Sequence, residues 1–177
     1  SFVYVTISRC IACGILQDGK FLRGNGFAGE LGLLPVWDHQ YQQEKRLEKI
    51  ASGPSIQLLA QKIFHDRTKT TRDFFIAYEK GQPEVQQAMK GIVSALSQGL
   101  YALISLLDPG HIVFGGGVVN HHPFIIDLVK ERLQDMVIAQ QADVMNRIQL
   151  SAFKENSGAI GAAWQAMEQL NSTRQII

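Results

Sequence analysis

Between Pro83 and Leu107 the apolar residues Val85, Met89, Ile92, Leu96, Leu100 and Leu103 recur at steps of three and four. That spacing puts one continuous apolar stripe on a helix. From Gly91 to Leu107 the chain carries no charge, and Asp108-Pro109-Gly110 ends the run. A membrane span needs about 20 mostly apolar residues. This run is shorter and contains three serines and a glutamine, so it reads as a buried core helix. Strand-like segments flank it on both sides.

Residues 2–8 are β-branched and aromatic almost throughout and read as a strand. Residues 12–17 and 20–23 read as two more, joined by the hairpin signal Asp18-Gly19. The chain therefore opens on an antiparallel meander of three. A glycine-rich loop from Gly24 to Gly32 follows, then Leu33 to Trp37 and a polar stretch from Asp38 to Glu44. Helices are expected over 44–51, from Pro54, a residue suited to a first helical position, and over 71–80. After the core helix, strands are expected at 111–114 and 148–152, separated by an amphipathic helix over 123–136. Ser157 is a fair N-cap for a last helix through Leu170. Three antiparallel strands followed by helix, strand, helix, strand, helix is the order of a ribonuclease H-like unit. That unit is an α/β domain whose five-stranded mixed sheet carries helices on both faces.

The chain has 177 residues, 46% hydrophobic and 19% charged, which suits one globular domain with a full core. A net charge of +1 and scattered basic residues give no electrostatic footprint for nucleic acid. Ser1 to Val5 lacks the basic and long apolar regions of a signal peptide, so a cytoplasmic location is expected. The chain has no initiator methionine and opens directly on a strand, which reads as a piece of a larger protein. Cys10 and Cys13 have CxxC spacing, but they join two strands and have no further ligand set; they read as reduced structural thiols. Trp37 and Trp164 read as packing residues, and His121-His122 as exposed loop histidines.

Two segments carry chemistry. One is Gly24-Asn25-Gly26-Phe27-Ala28-Gly29-Glu30-Leu31-Gly32; the other is Gly115-Gly116-Gly117 after the strand that Asp108-Pro109 precedes. Glycine permits positive φ and close backbone approach to a ligand, while a carboxylate holds sugar hydroxyls well. With Ser157-Gly158-Ala159-Ile160-Gly161-Ala162-Ala163, whose small residues imply close helix–sheet packing, the set resembles the C-terminal lobe of the ROK family (repressor, open reading frame, kinase). The resemblance covers about residues 2–168 and implies the actin-like ATPase variant of the ribonuclease H-like fold. It leads us to expect that residues 1–177 form that lobe, with the N-terminal lobe lying outside the chain.

In ROK kinases a Gly-Glu-x-Gly-His segment binds the sugar, and here it reads Gly29-Glu30-Leu31-Gly32-Leu33, so Glu30 is implied as a sugar contact. Leu33 stands where the family has a histidine. The family's cysteine-rich zinc loop is replaced by a shorter segment, Trp37 to Arg46, without cysteine, and no structural zinc is expected. The family's Leu-Glu and Ala-Ser-Gly reappear as Leu47-Glu48 and Ala51-Ser52-Gly53, which implies Glu48 as a second sugar contact. Gly115, Gly116 and Gly117, with Gly14, are implied to approach a nucleotide, ATP with magnesium in the intact protein. The resemblance sets Glu30 and the triple glycine on one shared crevice.

Departures weigh against simple kinase activity. The family's Gly-Thr-Gly-Ile-Gly-Gly-Gly-like hairpin reads Ser8-Arg9-Cys10-Ile11-Ala12-Cys13-Gly14, with side chains where the family has phosphate-binding glycines. The catalytic aspartate belongs to an Asn-Asp segment upstream of the opening strand, so no catalytic residue is expected here and the lobe alone should be inactive. Two readings stay open: the sugar- and nucleotide-binding lobe of a sugar kinase acting on a hexose or N-acetylhexosamine, and the inducer-binding, dimerising domain of a sugar-responsive repressor. The family is commonly dimeric through this lobe, which implies a homodimer; no membrane or direct nucleic-acid contact is implied.

Overall fold

The structure, a computed structural model, describes the backbone of residues 1–174 and the side chains of residues 1–167. A five-stranded mixed sheet forms its centre. Strand β1 (Phe2–Ile7) lies in the middle, antiparallel to β2 (Ile11–Gln17) and parallel to the later strand β6 (His111–Gly115). The short β3 (Lys20–Phe21) extends one edge and β7 (Ile148–Leu150) the other, in the order β3-β2-β1-β6-β7. Asp18 (φ 51°) and Gly19 (φ 74°) both adopt positive φ, as a tight two-residue hairpin turn requires. The α/β class and the mixed five-stranded sheet agree with the order read from the sequence.

The pleat explains which residues form the core. Val3, Val5 and Ile7 of β1 align with Ile112 and Phe114 of β6 and with Ile148 of β7, all buried on one face. The core helix α4 (Pro83–Leu107) packs there and buries Ile92, Leu96, Leu100 and Ile104 in the same cluster. By length and composition α4 could cross a membrane. Its apolar stripe is instead used inside the domain, as the spacing predicts. Helix α6 (Phe124–Gln134) adds Ile125, Val129 and Leu133 beside it, while α2 (Gly53–Ile63) and α3 (Thr71–Glu79) stack outside α4. The opposite face of the sheet carries Tyr4, Thr6, Ala12 and Gly14 and is only half-buried.

Helix α7 (Ser157–Arg174) follows β7. Its small residues Gly158, Ala159, Gly161 and Ala162 are exposed, so the close helix–sheet packing implied for them is not made. Ser157 Oγ binds Ser151 Oγ (2.8 Å) and the Lys154 carbonyl (2.7 Å), which anchors the helix at its start and nowhere else among the described contacts. Trp164, expected as a packing residue, is 65% exposed on this helix for the same reason.

The helix expected over 44–51 is the main correction. Residues Gln43–Arg46 form strand β5, paired with β4 (Pro35–Asp38), and only Glu48–Ala51 is helical (α1). The cause is one buried carboxylate. Asp38 Oδ1 accepts the amides of Gln40 (2.9 Å) and Tyr41 (3.3 Å), and Oδ2 accepts Lys45 Nζ (2.8 Å). These contacts fold the polar stretch into a hairpin and override the local helix preference of Glu44 to Glu48. Lys45 and Lys62 then flank the Tyr41 ring at 3.8 and 4.5 Å, and Lys62 donates to its hydroxyl (2.8 Å). Trp37 sits at the hairpin's rim, 41% exposed, its backbone clasped by the Gln98 amide.

Both cysteines are free thiols, but Cys10 is exposed in the β1–β2 turn and only Cys13 packs against the core, so the structural role expected of the pair fits Cys13 alone. Burial, reinforced by the charge of Glu30, pushes the Cys13 thiol up to about 11, so it stays protonated. Replacing Asp38 by alanine should strand Lys45 and two amides and cost about 2 kcal/mol or more of stability. Urea unfolding of Asp38→Ala against the parent checks this; an unchanged midpoint would show that the carboxylate does not hold the hairpin.

Candidate functional site

The site is built where the parallel strands β1 and β6 end. Ligands of open α/β sheets sit outside the carboxyl ends of such strands. Beyond Ile7 the chain turns through Ser8, Arg9 and Cys10 into β2; beyond Gly115 it turns through Gly116 into α5 (Gly117–His121). Between these turns opens a cleft of about 1060 Å³. Ser8 and Arg9 form one wall, Gly53, Pro54, Thr71 and Arg72 from the starts of α2 and α3 a second, and Gly117, Val118 and His122 a third.

Close backbone packing makes this geometry possible. Gly116 has φ +96°, and an added Cβ would lie 2.5 Å from the Ile7 carbonyl oxygen. At Gly115 an added Cβ would overlap the Tyr4 hydroxyl. Both glycines therefore serve the seating of β6 on β1, and neither lines the cleft. Gly117 is different: space above it is open, and it does line the cleft. Gly53 donates its N–H to the Ser8 carbonyl (2.7 Å), pinning the start of α2 against the β1–β2 turn. Gly14, implied as a nucleotide contact, lies in mid-strand on the half-open face, paired with Tyr4, and lines neither this cleft nor the cavity described next.

The lining of the cleft includes two arginines, Arg9 and Arg72, two histidines and no carboxylate. That balance suits an anion. His122 is not a free loop histidine. Its ring stacks on buried Phe75 with centroids 3.7 Å apart and meets Phe124 edge-on at 6.1 Å. Burial, with the charge of neighbouring His121, pulls its pKa below the usual 6.5. His121 is the last residue of α5, exposed, with Nδ1 2.7 Å from the Gly117 carbonyl oxygen.

A second cavity, about 460 Å³, lies on the other side of the β1–β2 turn. Glu48, Lys45, Lys49, Ser55 and Lys62 line it, and Arg9 lines both spaces. The Glu48 side chain is half-buried. A Cβ added at Gly32 would lie 3.3 Å from its Oε2 and 2.5 Å from the Ile11 carbonyl oxygen, so the glycine loop is packed onto Glu48 and the start of β2. Glu30, two residues earlier, is exposed, and its charge reaches Cys13. Gly29, with φ +91°, could not carry a side chain there because a Cβ would overlap the Cys13 carbonyl oxygen. Both carboxylates thus flank the first half of β2. Glu30 lines neither cavity, so the single crevice implied for it and the triple glycine is replaced by two adjacent spaces that share Arg9, Pro54 and Leu58. Among the described residues no group of three or more His, Cys, Asp and Glu side chains could hold a metal ion. His39 and the Asp38 hairpin do not fit a four-ligand zinc site.

The sequence did not single out Thr71, Arg72 or Gln57 as cleft residues. A helix start is visible at Pro54 and at Thr71, but nothing local says that the two starts share a wall. His122 also escaped, because its partner Phe75 lies on a different helix.

A family model described as "ROK family" matches residues 1–169. Over 162 residues the chain is 32% identical to the bifunctional enzyme NanE/NanK of Brucella melitensis, covering 91% of this chain and 30% of that protein. The ROK hexokinase of Thermus thermophilus matches in structure with a TM-score of 0.83 and 26% identity, over 97% of this chain and 58% of that one. A ROK family transcriptional regulator homologous to the MLC protein of E. coli matches with a TM-score of 0.65 and 21% identity, over 84% of this chain and 40% of that one; this likeness shows the fold alone. The chain spans less than two thirds of each of these relatives.

Two outcomes test the site's construction. Gly116→Ala should cost about 2 kcal/mol or more through positive φ and the Ile7 contact, whereas Gly117→Ala should leave the urea midpoint unchanged; equal costs would remove the distinction. The fold lowers the pKa of His122, while the unfolded chain protonates it at its ordinary value. Stability is therefore present above that value and is lost as pH falls below it. His122→Phe should flatten the decline in unfolding midpoint between about pH 7 and about pH 5; a parallel decline in both proteins would mean that His122 does not drive it.

Proposed function

The chain belongs to the ROK family, and from that premise we propose that it is the C-terminal lobe of a sugar kinase. In this reading the lobe holds a hexose or N-acetylhexosamine through Glu30 and Glu48. The nucleotide, ATP with magnesium, lies in the cleft at Gly117. The second lobe supplies the aspartate that takes the hydroxyl proton, so residues 1–177 alone bind without transferring phosphate. A homodimer formed through this lobe and a cytoplasmic location complete the reading.

One observation carries it. A carboxylate-free cleft with two arginines sits beside a cavity lined by Glu48, and the same turn borders both. Phosphoryl transfer depends on holding donor and acceptor side by side and on neutralising charge, with little covalent work for the protein. Two adjacent spaces meeting at one guanidinium supply that arrangement. Among the relatives, a NanE/NanK enzyme and a hexokinase point the same way.

A second reading has a specific observation behind it. The turn Ser8-Arg9-Cys10 carries side chains where the kinase hairpin is glycine-rich, which favours the inducer-binding and dimerising domain of a sugar-responsive repressor. The two readings separate on nucleotide binding.

Calorimetric titration of the intact protein that contains this lobe, against a hexose panel and a non-hydrolysable ATP analogue, tests both. The kinase reading expects both ligands to bind. Glu30→Gln and Glu48→Gln should each weaken sugar at least about tenfold, the loss of a charge-assisted hydrogen bond, and leave the nucleotide affinity unchanged. Sugar binding without nucleotide selects the repressor; binding of neither discards both.

A further inference from the structure

Arg9 stands out once the two cavities are compared. Three residues line both, Arg9, Pro54 and Leu58, and Arg9 is the one that carries charge. It is exposed at the tip of the β1–β2 turn and, among the described residues, has no carboxylate partner. The turn itself is fixed. Ser8 N–H donates to the Cys10 carbonyl (3.0 Å), and the Ser8 carbonyl accepts Gly53 N–H (2.7 Å). Those bonds occupy two backbone amides beside the cleft, Ser8 and Gly53, and leave neither free for a ligand. The charge that remains at this corner is the guanidinium.

We propose that Arg9 grips the terminal phosphate of a nucleoside triphosphate, at the point where the nucleotide cleft meets the Glu48 cavity. The proposal rests on the nucleotide reading above and assigns a phosphate-binding residue to it. A triphosphate lying along the cleft has one end near Gly117, Arg72 and His122. To reach an acceptor held by Glu48, its other end must come to the border of the two spaces. Arg72 lines the first cleft alone, so it is placed for inner phosphates or the nucleoside. Arg9 is placed for the outermost one. A guanidinium presents a planar fork of donors that matches two phosphate oxygens, and it stays charged at every working pH. A lysine at the same place would offer a point charge without the fork.

The discriminating measurement is a ladder of nucleotides. The intact protein, Arg9→Ala and Arg9→Lys are titrated calorimetrically with ATP, ADP and AMP in the presence of magnesium. Arg9→Ala should weaken ATP about tenfold or more, ADP less, and AMP less than about twofold. Arg9→Lys should recover part of the ATP affinity and fall short of the parent. Thermal unfolding of both variants should match the parent, because the side chain is exposed and unpaired. An equal loss for ATP, ADP and AMP, or an unchanged ATP affinity, overturns the assignment while leaving nucleotide binding intact. A parent protein that binds sugar and no nucleotide overturns the nucleotide reading and this assignment with it.

Discussion

The carboxyl end of β1 is where the domain's parts are joined. Ile7 receives the Gly116 corner at a distance no side chain would permit, and Ser8 accepts the amide of Gly53. Three separate elements, the β1–β2 turn, the start of α2 and the start of α5, are thereby fixed within hydrogen-bond or van der Waals contact. Loosen that junction and the cleft has no defined width. The cleft is thus a consequence of backbone packing first and of its lining side chains second.

The core makes the junction rigid. Val3, Val5 and Ile7 are wholly or almost wholly buried, in one cluster with Ile92, Leu96 and Leu100 of α4. Burial of a side chain of this size is worth about 1.5–3 kcal/mol. A central strand held by several such contacts presents its end to the cleft in one position. The other face of the sheet is less covered, and among the described residues the side-chain hydrogen bonds that anchor α7 are those of Ser157. The domain is therefore rigid where its two cavities meet and open on its far side.

The Asp38 hairpin shows a different solution to the same problem of placing a carboxylate. Glu48 follows a loop that has no metal-ligand set. Asp38 instead gathers two amides and Lys45, and Tyr41 is held between Lys45 and Lys62. A salt-bridged hub and a pair of cation–π contacts set the loop's shape, and Glu48 emerges from it against Gly32. Charge and ring packing do here what coordination does in a zinc loop.

Much of this was legible beforehand because it is periodic or local. The step of three and four in α4, the β-branched run of β1, the Asp18-Gly19 turn and the order of elements follow from side-chain spacing and backbone sterics, which need no partner. Glu30, Glu48 and the triple glycine were likewise readable as motifs. What the sequence could not reveal is whatever depends on two distant segments meeting. The strand at Gln43–Arg46 exists because Asp38 captures Lys45, against a helical local preference. The division of labour within Gly115-Gly116-Gly117 depends on Tyr4 and Ile7, over a hundred positions earlier in the chain. His122 became part of a cleft wall because Phe75 stacks beneath it, and Arg9 gained its place because one turn borders two cavities. Spacing along the chain determines secondary structure, but only folding decides which unpaired charge faces which empty space.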